Sequence, residues 1–185
     1  MIALVFDTET TGLTKHPSAK MEMQPKIIEF AGVLVREQEI VGELEMILDP
    51  GEKIEPLITK ITGLTDEDLL GKPTFRDVEP AIYEFFSSAD TLVAHNLPFD
   101  STLIDLEIAR LNDVRKTDRW SWSRWEMICT VQEHAEEFGY RPKLTELYSE
   151  YFGEKLDQKH RALDDVKALA RIWMAMNDPS FTRAQ

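Results

Sequence analysis

Three apolar runs rich in β-branched residues open the chain: "IALVFD" at 2–7, "KIIEFAGVLV" at 26–35 and "IVGELEMIL" at 40–48. Their composition predicts strands, and the short links predict an antiparallel meander. Between the first two lies "TKHPSAKMEMQP", residues 14–25, polar and bracketed by Pro17 and Pro25, which reads as an excursion over the surface. After "DPGEKIEP" the spacing turns helical: "LITKITG" is a short helix stopped by Gly63, "TDEDLL" starts another with Thr65 and Asp68 placed as a capping box, and "FRDVEPAIYEFFSS" is a third. "TLVAHN" reads as a buried strand and "STLIDLEIARLN" as an amphipathic helix capped by Asp100 or Ser101. "TVQEHAEEFG", "KLTELYSEYFG" and "RALDDVKALARIWMAM" are helical. Strands first, then strand and helix alternating, predict an α/β domain with a mixed sheet covered by helices.

At 185 residues, 43% hydrophobic and 30% charged, the chain fits a single globular domain over 1–185, with the excursion at 14–25 and a short C-terminal tail at 178–185. "MIALVF" runs straight into acidic residues, without the apolar region and cleavage site of a signal peptide, and no stretch is long enough to span a bilayer. A cytoplasmic location and no membrane partner are expected. The one cysteine, Cys129, excludes an intramolecular disulfide and leaves too few thiols for a zinc cluster, so it is expected to be a small buried apolar residue. A net charge of −13 argues against coating of duplex nucleic acid through a broad basic face. It is compatible with an enzyme that grips a strand end and meets phosphates through bound divalent cations.

In "VFDTETTGL", Asp7 and Glu9 are two positions apart at the end of an apolar strand, so both carboxylates point the same way. Like charges on one face repel unless a cation neutralises them, and oxygen-only ligands favour Mg²⁺ or Mn²⁺. The ordinary alternative is a solvated strand end followed by a turn. Asp100 follows Phe99 at the opening of a helix, where the ordinary use of Asp is a cap. In "HRALDDVKALARIW", His160 precedes two adjacent aspartates. Helical spacing surrounds Asp164 with His160, Arg161, Lys167 and Arg171, and Asp165 with Ala162, Ala168, Leu169 and Ile172. Asp165 therefore stands on or beside the apolar side, where a carboxylate calls for a partner. Histidine titrates nearest neutrality and is a frequent general base.

Taken together, "FDTETTGL", "HNLPFD" and "HRALDD" resemble, in order, the three motifs of the DnaQ-like 3′-to-5′ exonucleases, in the branch named DEDDh for its acids and histidine; the pattern spans residues 5–173. "ITGLTDEDL" resembles the family's usual segment between the first two motifs. The resemblance implies an RNase H-like fold with a mixed five-stranded sheet flanked by helices. It also implies two Mg²⁺ or Mn²⁺ ions held by Asp7, Glu9, Asp100 and Asp165, and His160 as the base that deprotonates water. Residues matching Thr10, Gly12, Leu13, Ile61, Gly63, Asn96 and Phe99 hold the terminal nucleotides in the family. The implied reaction releases nucleoside 5′-monophosphates from single-stranded 3′ ends, DNA first, with a DNA polymerase as candidate partner. Rival readings are an RNA-trimming enzyme of the same fold and a non-catalytic polymerase-associated subunit; the latter would be expected to lose one of the acids or the histidine, and all five are present. Two departures stand out. The excursion is longer than a minimal member needs, and Cys129 stands where members often carry an acid, so Thr130 receives no role.

"VRKTDRWSWSRWEM" concentrates Arg115, Lys116, Arg119 and Arg124 with Trp120, Trp122 and Trp125. Cations that follow a backbone and indoles that stack on bases make a single-strand contact; indoles folded inward make a small apolar cluster. Both readings are open from sequence. His16, His95 and His134 have no acidic partner set and are expected in surface or packing roles.

Overall fold

The computed structural model describes residues 1–113, 118–157 and 161–184. Its three N-terminal strands, β1 (Ile2–Thr10), β2 (Ile27–Arg36) and β3 (Glu39–Ile47), form the expected antiparallel meander. Helices α1 (Pro56–Thr62), α2 (Asp66–Leu69) and α3 (Phe75–Ser87) follow, then β4 (Thr91–Ala94), α4 (Leu97–Leu111), β5 (Glu126–Cys129), α5 (Thr130–Phe138), α6 (Leu144–Phe152) and α7 (Ala162–Met176). The sheet order is β3-β2-β1-β4-β5, with β4 parallel to β1 and β5 parallel to β4. β1 thus lies at the centre, and its C-terminal end shares an edge with that of β4.

Strand alternation sorts the side chains into two cores. Leu4, Phe6, Phe30 and Leu92 pack with α3 and α4 on one face; Ala3, Val5, Ala31, Val33 and Val93 pack with α6 and α7 on the other. The capping box of Thr65 and Asp68 forms as expected, and Gly63 ends α1 at φ 75°. Near the C-terminus Phe181 stacks on Tyr151, and the Ala184 N–H donates to Tyr151 O at 3.1 Å. Among the described residues no helix is long and apolar enough to cross a membrane.

One expectation is corrected, and a question the sequence leaves open is answered. Helix α4 begins at Leu97, not beyond Asp100: Asn96, in the left-handed region at φ 77°, is its cap, and Asp100 lies within its first turn. The tryptophan segment folds inward. Trp120 and Trp125 are buried around Phe86, and each indole N–H is spent internally, Trp120 on Glu79 (2.8 Å), Trp122 on Asp105 (2.8 Å) and Trp125 on Phe86 O (3.1 Å). Arg119 pairs with the buried Glu79 and Arg124 with Tyr83, so these cations are engaged too; Arg115 and Lys116 lie outside the described residues. Cys129 is buried, and His134 is buried between Thr130 O and Tyr151 Oη, each at 2.8 Å.

Candidate active site

The acidic site follows from the alternation of β1. Its odd positions begin as core, Ala3 and Val5, and continue as Asp7 and Glu9 on the same face. On β2, Ala31 stands opposite Asp7 and Glu29 opposite Glu9. A face that is apolar for most of its length therefore turns acidic at its end. Helix α7 packs on this face and brings Asp165, which is buried while Asp164 is exposed. Carboxylate oxygens of Asp7, Glu9 and Asp165 lie within 4.8 Å of one another. Asp100 arrives from α4 on the opposite side of β1, and its Oδ1 accepts from the Thr8 N–H at 3.1 Å and the Thr8 Oγ1 at 2.8 Å. Its charge acts on Asp7, but it is not one of the three clustered carboxylates. His160 lies outside the described residues.

These groups crowd negative charge into a poorly solvated place. Burial, then Asp100, Glu9, Asp165 and Glu29 hold the Asp7 carboxyl well above the usual range. Glu9 is pushed up to about 8, first by burial and then by Asp165 and Glu29. Burial also raises Asp100, against the two hydrogen bonds from Thr8. A cation relieves this repulsion, and an all-carboxylate donor set suits a hard divalent ion.

Beside the acids opens a cleft of about 680 Å³, lined by Glu9, Thr10, Gly12, Leu13, Ile61 and Phe99 among others. Its rim exposes large apolar side chains, Leu13 at 76%, Met23 at 62%, Leu57 at 60% and Ile61 at 42%; such a patch marks a binding surface. The excursion supplies one wall through Lys15, Met23 and Gln24. It is stapled in place: the buried Gln24 accepts from the Lys15 N–H at 2.9 Å and donates to His16 O at 3.2 Å, while Arg110 of α4 donates to Gln24 O (2.9 Å) and Pro25 O (2.8 Å). Two expected nucleotide contacts stand outside the cleft. Gly63 ends α1, and Asn96 Oδ1 accepts from Arg141 at 2.7 Å beside a smaller pocket that includes His95. His95 itself bonds Thr130 Oγ1 and Pro142 O, and burial pushes it down to about 4. Met23, Leu57, Thr8 and Glu29 were not singled out from sequence. Only Glu29 left a signal there, a charge inside the apolar run "IIEFAGV".

The exonuclease family model, RNase T, matches residues 4–173. The polymerase named DNA polymerase III PolC-type of Caldanaerobacter subterraneus subsp. tengcongensis is 34% identical over 173 residues, 94% of this chain but 11% of that protein. The chain thus spans about a tenth of that relative's length. Exonuclease X, solved in complex with 5′ overhanging duplex DNA, is similar at a TM-score of 0.64 and 25% identity, over 98% of this chain and 95% of that one. The nuclease domain of 3′hExo, a DEDDh family member solved bound to rAMP, shares the fold at a TM-score of 0.71 and 19% identity, over all of this chain and 96% of that one. With an acidic cluster at the end of its central strand and a family match across nearly its whole length, the chain belongs to the exonuclease family and shares the fold of the DEDDh nuclease domain.

Proposed function

We propose that residues 1–185 form one metal-dependent 3′-to-5′ exonuclease domain that releases nucleoside 5′-monophosphates from single-stranded ends, DNA first. The observation that carries this reading is the convergence of Asp7, Glu9 and Asp165 within 4.8 Å beside an apolar-rimmed cleft. Asp7, Glu9, Asp100 and Asp165 would hold two Mg²⁺ or Mn²⁺ ions, which when bound sharpen an attacking water and neutralise charge on the phosphate and the leaving 3′ oxygen. Thr10, Gly12, Leu13, Ile61 and Phe99 hold the terminal nucleotides, bases on the apolar rim and phosphate towards the acids. Gly63 and Asn96 act one step removed, by ending α1 and starting α4. His160, two positions before Ala162 in the sequence, takes the proton of the water. The PolC-type relatives support DNA as substrate and a DNA polymerase as partner. RNA is the second reading, supported by the likeness to 3′hExo.

The test incubates purified protein and Mg²⁺ with end-labelled single-stranded DNA and RNA, some blocked at the 3′ end. Ladders that shorten from an open 3′ end, stop at the block and vanish in chelator are expected. Full activity in chelator would overturn the metal dependence, products from blocked ends the direction, and silence on every substrate would favour the non-catalytic subunit.

A further inference from the structure

Glu29 is a fully buried acid that the proposed reaction does not use, one strand away from the clustered carboxylates. Its two oxygens are occupied in a specific way. Arg161 donates to it through Nε, at 3.1 Å to Oε1 and 3.2 Å to Oε2, and through Nη2, at 2.7 Å to Oε1. The N–H of Ala162, the first residue of α7, donates to Oε2 at 3.2 Å. Helix α7 has no side-chain cap of its own, since its cap position is Arg161. A carboxylate at a helix N-terminus satisfies an orphan N–H and complements the helix dipole. A forked arginine–carboxylate contact fixes orientation as well as distance. Glu29 therefore clamps both the cap residue and the first turn of α7 to β2, the strand that pairs with β1.

We infer that Glu29 is a positioning residue of the metal site: by gripping Arg161 and the Ala162 N–H it sets where α7 starts, and so where Asp165 meets Asp7 and Glu9. Asp165 stands one turn beyond the clamp, and its own N–H donates to Arg161 O at 3.1 Å. Glu45, also facing Arg161, is 3.6 Å away and half-exposed. The inference rests on the proposed function, because it presumes that the acids hold a cation.

The experiment measures Mn²⁺ binding by calorimetry and by the loss of free-ion paramagnetic resonance, with Mn²⁺ alone and no substrate. Wild type, Glu29→Ala, Glu29→Gln and Glu45→Gln are compared after circular dichroism shows each folded. Glu29→Ala should weaken Mn²⁺ binding by roughly 10- to 100-fold, as expected when a group that orients a ligand is lost. Glu29→Gln, which can still accept from Ala162, should recover part of the loss, and Glu45→Gln should match wild type. In turnover assays the Glu29 variants should lower kcat at fixed Mn²⁺ while KM for the oligonucleotide stays constant. If Glu29→Ala does not fold, Glu29→Gln alone decides. Folded variants that bind Mn²⁺ as wild type does would overturn the positioning role and leave the proposed function standing. Wild-type protein that takes up no Mn²⁺ would overturn both.

Discussion

Asp164 and Asp165 are adjacent in the chain, yet one is exposed and the other buried beside two more acids. Asp165→Asn should abolish cleavage while folding persists. The metal-free variant should melt higher than wild type, because Asp165 is the strongest charge acting on Glu9. Asp164→Asn should cost at most a few tenths of a kcal/mol, about the value of an exposed helix pair, with activity kept. Loss of activity at 164 with retention at 165 would refute the assignment. Glu9 adds a pH dependence of definite sign. Its carboxyl titrates at about 8 in the folded chain against the ordinary 4.5, so the folded state holds a proton that the unfolded state has released. Stability without metal is therefore full below about pH 4.5 and falls as pH rises towards about 8. Calorimetry in chelator should show a lower Tm near pH 8 than near pH 5, and added Mg²⁺ should raise Tm more at the higher pH, where it competes with fewer protons. The reverse order would mean that the acids are not buried together.

At the scale of elements, what could be read from sequence was what has a local cause. The meander, the Gly63 stop, the Thr65–Asp68 box and the pairing of Asp7 with Glu9 on one face follow from neighbours a few residues apart. What could not be read depends on distant partners. The cap of α4 was misplaced because Asn96 adopts a left-handed backbone that Pro98 and the apolar residues around it do not announce. The position of β5 was not assigned, since "EMIC" is four residues long and becomes a strand only by pairing with β4. The inward turn of the tryptophans depends on Glu79, Phe86 and Asp105, all earlier in the chain. Trp120→Ala should accordingly cost about 3–5 kcal/mol in denaturant unfolding, as for a large core side chain. A loss of nucleic-acid affinity with stability unchanged would restore the stacking reading. The excursion gives a second test. Gln24→Ala removes a buried amide that ties Lys15 and His16, a loss of about 1–3 kcal/mol to local order. It should increase proteolysis within 14–25 and raise KM for a single-stranded oligonucleotide, with Mn²⁺ affinity unchanged. An unaltered KM would remove the excursion from the substrate path.

For the molecule as a whole, the net charge of −13 sets how it meets a polyanion. A basic binder loses affinity steeply as salt rises. Here the long-range term is repulsive and added salt screens it, so at fixed Mg²⁺ the KM for single-stranded DNA should fall as NaCl rises from low concentration to about 0.15 M. A steep rise over that range would point to a basic path that the described residues do not show. The central strand has a consequence of another kind. On β1 the residues that fill the core and those that gather at the acidic end form one row, with Val5 and Asp7 as neighbours in it. One residue inserted within Ile2–Thr10 would turn core and carboxylates over together, so fold and chemistry fail as a unit. Beyond Thr10 the chain has left that row and builds the wall of the cleft. Exchanging 14–25 for the shorter link of a related domain is therefore a graft the framework should accept, one that changes which strand ends are admitted while the acids keep their places.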